Sequence, residues 1–192
     1  MKPAVFIDRD GTVNEEMGYI NHIDRFRIFP WTAEAIGKLN RAGIPAILIT
    51  NQSGVARGYF PESLVDEIHQ KLLEELARHN AWLDGIYYCP HHPEAGCKCR
   101  KPSPGMLNQA ASDLDLDPAS SFTIGDRYQD LRMGFPLGIK GILVMTGYGK
   151  GECLYQSDGW PRQPDHLAEN LLAGVDWILS HIPGVGSHEI RQ

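Results

Sequence analysis

Ala4-Val5-Phe6-Ile7-Asp8-Arg9-Asp10-Gly11-Thr12 decides how the rest of the chain is read. Four apolar residues are followed by two carboxylates two positions apart and then by a glycine. The short apolar run predicts a buried strand, and the glycine lets the backbone turn sharply just beyond it. Comparable runs recur at 44–49, 85–88, 121–124 and 141–145. Helical patterns lie between them: 32–42, with Thr32 as N-cap and Gly43 beyond the end, and 61–81, where Leu64, Ile68, Leu72 and Leu76 share one stripe. Further helices are expected at 105–114, 128–135 and 166–181. Strands alternating with helices predict a three-layer, Rossmann-like α/β fold, a parallel sheet with helices on both faces. The Gly- and Pro-rich segment 146–165 reads as a long surface connection, and 183–192 as a flexible tail. One domain over 1–192 is expected, with no block large enough for a cap domain.

The bulk properties exclude several classes of function. A net charge of -6 without a basic run argues against a nucleic-acid binder, whose affinity comes from clustered Lys and Arg. No apolar run approaches the roughly 18 residues of a membrane span. The apolar stretch at the N-terminus is too short for a signal peptide, so a cytoplasmic protein is expected. No apolar helix face is left over for a partner, which favours a monomer.

In parallel sheets, ligands collect at the carboxyl ends of the strands. Here those ends carry Asp8 to Thr12, Thr50 to Ser53, Cys89 onward, and Gly125-Asp126. Asp8 and Asp10, held close together, need a cation beside them. A hard divalent ion with oxygen ligands, magnesium, meets that need. Asp126, followed one helical turn later by Asp130, can complete the acidic set. A lone Asp-x-Asp is otherwise an ordinary turn. Cys89-Pro90-His91 and Cys97-Lys98-Cys99 place four soft or borderline donors within eleven residues, the ligand set of a structural zinc site. Disulfides are the alternative, but Cys97 and Cys99 are awkward to pair with each other and the expected compartment is reducing. His92 stands beside His91 as a possible donor. Arg100 and Lys101 follow Cys99 directly, so a zinc-folded loop would fix two cations over a phosphate site.

The ordered set Asp8 to Thr12, Thr50, Lys101-Pro102 and Gly125 to Asp130 resembles the haloacid dehalogenase phosphatase superfamily over roughly residues 4–145. The resemblance implies that Asp8 is the nucleophile and Asp10 the general acid and base. It also implies that Thr50 and Lys101 hold the phosphoryl oxygens. Magnesium would be held by the Asp8 carboxylate, the Asp10 main-chain carbonyl and Asp126. The zinc loop narrows the resemblance to the branch of heptose bisphosphate and histidinol-phosphate phosphatases, and the family pattern Cys-x-His gives the ligand role to His91. The matching segments, Gly18-Tyr19-Ile20, Thr50 to Gly58, Asp84 to Pro93 and Cys99 to Met106, favour the heptose side, whose product enters nucleotide-activated heptose synthesis for lipopolysaccharide or surface glycan. By the same resemblance Glu16, Met17, Gly18, Tyr19, Asn51, Gln52, Ser53, Arg100 and Arg127 surround a small phosphorylated sugar. Arg127 stands where some heptose enzymes carry lysine, and the short zinc loop is closer to the histidinol-phosphate pattern. The non-enzyme rival is a zinc-loop binding module on a degenerate fold. The joint presence of Asp8, Asp10, Lys101 and Asp126 weakens it. Cys153 reads as a free thiol.

Overall fold

The computed structural model describes residues 1–182. They build a six-stranded parallel sheet in the order β3-β2-β1-β4-β5-β6, from Val5–Ile7 (β1), Ala46–Asn51 (β2), Gly85–Cys89 (β3), Phe122–Gly125 (β4), Lys140–Val144 (β5) and His166–Ala168 (β6). Six helices accompany it: Thr32–Arg41 (α1), Glu62–Arg78 (α2), Gly105–Asp113 (α3), Tyr128–Arg132 (α4), Gly149–Gln156 (α5) and Leu171–His181 (α6).

Alternation along the strands supplies both faces of the sheet. Val5 and Ile7 of β1, with Ala46 and Leu48 of β2, pack with Ile36 and Leu39 of α1, the α2 stripe Leu64, Ile68, Leu72 and Leu76, and Val175 and Ile178 of α6. Phe6, Ile47 and Ile49 face the other way, onto Met106, Leu107 and Ala110 of α3 and onto Met133. Residues of both sets are almost wholly excluded from solvent, which is why each strand reads as a continuous apolar run. β1 lies between β2 and β4, so its carboxyl end opens at the point where the strand order reverses and ligands of such sheets bind. Asp8 occupies that point.

Three expectations need correction. Residues 146–165 are not a surface connection throughout, because α5 runs through Gly149–Gln156. Two glycines in eight residues hide it from helix propensity, and its buried Glu152 anchors it by tertiary bonds described below. Residues 166–168 are strand rather than helix. The edge strand β6 pairs with β5 from Ile142↔His166 to Val144↔Ala168, and α6 starts only after Asn170, whose side chain accepts from the Ala173 amide at 3.0 Å. Thr32 does not cap α1. Its hydroxyl donates instead to the Val13 carbonyl at 2.6 Å, tying the helix to the loop after β1. The expectation for 183–192 falls outside the described residues.

Candidate active site

The sheet brings together two of the ordered motifs from different strand ends. Asp8 follows β1, Asp126 follows β4, and Asp130 lies in the first turn of α4. One carboxylate oxygen of each is within 4.8 Å of the others, and all three residues are buried. Burial first, then the charge of Asp130, raises Asp8 to about 7, although Lys101 pulls it down. Burial followed by Asp8 and Asp130 pushes Asp126 up to about 9. Three carboxylates in one desolvated site favour a bound cation, and an all-oxygen set suits magnesium. Glycine makes the close approach to Asp126 possible. A Cβ on Gly11 or Gly147, both at positive φ, would lie 2.2 or 2.0 Å from Asp126 Oδ2. The Tyr148 amide donates to that same oxygen at 2.8 Å.

Lys101 enters from the other side, with 3% of its surface exposed. Its Nζ bonds to Asp8 Oδ1, to Asp130 Oδ1 at 2.7 Å, and to the Ile49 carbonyl at 3.0 Å. Burial works against its charge, but Asp130 and Asp8 outweigh burial and raise its pKa. The backbone of Lys101 is clamped by Asn51, which accepts from its N–H at 3.0 Å and donates to its carbonyl at 3.2 Å. Asn51 therefore positions the lysine as well as lining the cleft.

Asp10 is not part of the three-carboxylate cluster and is surrounded by donors. Arg9 Nη2 reaches its two oxygens at 3.0 and 2.8 Å, Asn14 Nδ2 donates at 3.0 Å and Gln52 Nε2 at 2.9 Å. Burial would raise Asp10, but Arg9 and these donors overcome it and hold the carboxyl below its usual range. Gln52 also donates to Thr50 Oγ1 at 2.8 Å, which leaves the Thr50 hydroxyl proton free to donate.

Around these groups is a cleft of about 240 Å³ lined by Asp8, Asp10, Glu16, Gly18, Tyr19, Thr50, Asn51, Gln52, Ser53, Arg100, Lys101, Asp126, Arg127, Asp130 and Tyr148. Met17 is the exception among the expected residues: its side chain packs against the apolar core and its carbonyl takes a bond from Arg25. Arg100 Nη1 is buried without a hydrogen-bond partner among the described residues. A larger groove of about 1010 Å³ between α1, α2 and residues 23–30 shares none of these chemical groups, so size does not locate the site.

Beside the cleft, Cys89, His91, Cys97 and Cys99 offer ligand atoms within 4.8 Å of one another. Cys99 Sγ lies 2.8 Å from Cys89 Sγ and 3.1 Å from His91 Nδ1. All four cysteines of the chain are free, and 2.8 Å is well beyond a disulfide bond of about 2.05 Å. Burial and the bond from Cys99 push the Cys89 thiol up to about 12, whereas Cys97 falls to about 7 because the Arg100 amide and the neighbouring thiols outweigh its desolvation. A Cys3His set of this kind fits zinc. His92 instead accepts from the Glu94 amide, outside the cluster.

Known proteins are similar to this chain in sequence and fold. A family model described as HAD-hydrolase-like matches residues 98–173. A D-glycero-D-manno-heptose-1,7-bisphosphate 7-phosphatase of Thermosynechococcus vestitus is 42% identical over 94% of this chain and 97% of its own length. A D-glycero-beta-D-manno-heptose-1,7-bisphosphate 7-phosphatase of Pasteurella multocida is 46% identical over 77% of this chain and 84% of its own. The chain belongs to the HAD-like phosphatases. Among solved structures, the phosphatase superimposes on the D,D-heptose 1,7-bisphosphate phosphatase of B. bronchiseptica, complexed with magnesium and phosphate, with a TM-score of 0.86. The two are 35% identical, over 94% of this chain and 99% of the other.

Two parts of the phosphatase site escape a reading of motifs. Glu152 on α5 is buried, its Oε2 accepting from the Tyr128 amide at 2.6 Å and its Oε1 from Arg127 Nε at 3.2 Å. With Arg127 stacked 4.6 Å over Tyr148, this holds the guanidinium at the cleft. The other part is Arg9, 1% exposed, which the motif presents only as the residue between two aspartates.

Proposed function

We propose that this chain removes the C7 phosphate of D-glycero-D-manno-heptose 1,7-bisphosphate, leaving heptose 1-phosphate, through an aspartyl-phosphate on Asp8. The observation that carries the reading is the pairing of the Asp8, Asp126 and Asp130 cluster with a second cation, Arg100, in the lining of one polar cleft. The first suits phosphoryl transfer, and the second awaits an additional anionic or oxygen acceptor on the substrate. The names of the relatives agree with both.

Asp8 attacks phosphorus. As its carboxylate oxygen forms the new O–P bond, the ester P–O bond breaks, and the departing C7 oxygen keeps the electron pair and takes the proton that Asp10 must carry, against the pull of Arg9, in the substrate complex. Asp10 then takes a proton from the water that attacks the aspartyl-phosphate, releasing phosphate and restoring Asp8. Lys101 and the Thr50 hydroxyl hold phosphoryl oxygens through the step, where fixed donors stabilise developing charge. Asp8, Asp126 and the Asp10 main-chain carbonyl, with Asp130 beside them, would hold magnesium, which would supply further positive charge to stabilise the phosphoryl group. Cys89, His91, Cys97 and Cys99 would hold zinc, which would stiffen the loop presenting Arg100 and Lys101. Arg100 and Arg127, with Glu16, Gly18, Tyr19 and Ser53, select the sugar. We place the phosphatase in the cytoplasm as a monomer serving nucleotide-activated heptose synthesis.

Acid-quenched mixtures of protein, magnesium and labelled heptose 1,7-bisphosphate should contain label bound to Asp8. The Asp8→Asn variant should be folded and inactive. Retention of more than trace activity by that variant, with no acyl-phosphate trapped on the parent, would reject the covalent route.

A further inference from the structure

We infer that His69, on α2, is a positioning residue for Asp10 that acts through the buried side chain of Arg9. The inference rests on the proposed acid and base role of Asp10. Arg9 spends Nη2 and Nε on Asp10, with Nε at 3.3 Å from Oδ1. Its other terminal nitrogen, Nη1, lies 3.4 Å from His69 Nε2. A guanidinium has no lone pair to offer, so the imidazole nitrogen is the acceptor and its proton sits on Nδ1. Arg9 is 1% and His69 7% exposed, so the bond is largely shielded from solvent. Phe26 stands 5.9 Å from the guanidinium, and the His69 ring is itself set edge-on against Tyr88 at 5.6 Å.

The residue type matters at this position. A carboxylate at 69 would compete with Asp10 for the charge of Arg9, and an apolar side chain would leave a buried N–H unpaired. A neutral imidazole anchors the far end of the guanidinium without drawing its charge away from Asp10. Burial first, and then Arg9 itself, pushes His69 down to about 4, so the ring is uncharged at neutral pH. Helix α2, which contributes no group to the cleft, thereby fixes the orientation of the acid.

The leaving group separates positioning from packing. When the ester P–O bond breaks, a sugar alkoxide needs the Asp10 proton, whereas p-nitrophenolate departs as the anion without it. Because kcat/KM ends at phosphoenzyme formation, it reports this proton transfer and not the later hydrolysis. We would measure kcat/KM with magnesium for heptose 1,7-bisphosphate and for p-nitrophenyl phosphate on the parent, His69→Phe, His69→Gln and Asp10→Asn. His69→Phe keeps a ring but has no acceptor, and His69→Leu replaces it should it not fold. The expected result is a loss of about tenfold or more on the sugar ester, part of the roughly 10²–10⁴ that a general acid is worth, against less than about threefold on the aryl ester. His69→Gln, which offers an amide oxygen, should recover most of the loss. Equal losses on both esters, loss on neither, or a Gln variant as impaired as Phe would overturn the positioning role. An Asp10→Asn variant that loses both esters equally would overturn the acid reading itself. Asymmetry in Asp10→Asn without it in His69→Phe would remove His69 alone.

Discussion

Asp8, Asp10, Thr50 and Asp126 could be singled out in the chain because each is a chemistry-bearing residue just past an apolar run, and strand ends are where a parallel sheet gathers its ligands, whereas Lys101 was singled out by its place directly after the zinc loop. Their partners were harder to read. Glu152 meets Arg127 and Tyr128 across about twenty-five residues, and nothing in the local pattern of Gly-Lys-Gly-Glu marks it. Arg9 was visible as a letter but not as a buried cation, since burial of a charge follows from tertiary pairing. Asn51 and Gln52 were expected to meet substrate, yet their amide nitrogens are committed to Lys101 and to Asp10 and Thr50. Glu152 gives a test at this scale. In Glu152→Gln a buried charged acceptor becomes a neutral amide, which should lower stability by about 1–3 kcal/mol. Arg127, no longer paired with a carboxylate, should raise KM for the bisphosphate while kcat changes little. Thermal melts and steady-state kinetics read the two effects, and an unchanged KM would show that Arg127 does not bind substrate.

Elements show the same division between what a pattern carries and what packing decides. Five strands announce themselves as short apolar runs, and α2 by the helical spacing of its long stripe. The three-residue β6 is too short for any period, and it is fixed instead by Asp165, whose carboxylate accepts from the Gly141 amide at 2.8 Å while its own amide donates to the Gly141 carbonyl. The zinc loop is the element whose role is most open to test. It joins β3 to α3, and at its base Gly105 approaches the loop backbone so closely that a Cβ there would lie 2.1 Å from the Lys98 carbonyl oxygen. Purified protein should carry about one zinc per chain, as a four-ligand structural site requires. Cys97→Ala should lower zinc content and, by loosening Arg100 and Lys101, lower kcat/KM as well. Zinc-free protein with full activity and unchanged melting temperature would rule out the structural role.

At the scale of the whole molecule, an acidic protein of net charge -6 collects Arg100, Lys101 and Arg127 at one end of its sheet. Lys101 is paired internally with Asp8 and Asp130, which keeps it beside the proposed nucleophile. Arg100 lines the cleft with no carboxylate paired to it among the described residues, which suits a substrate with an anionic group beyond that phosphate. Histidinol phosphate presents an ammonium and an imidazole instead. The comparison that bears most directly on the account is therefore kcat/KM, with magnesium present, for heptose 1,7-bisphosphate and for histidinol phosphate on the same preparation. The bisphosphate should lead by at least about thirtyfold, the worth of one charged hydrogen bond of about 2 kcal/mol, with phosphate lost from C7 and retained at C1. Equal constants, or a preference for histidinol phosphate, would contradict it.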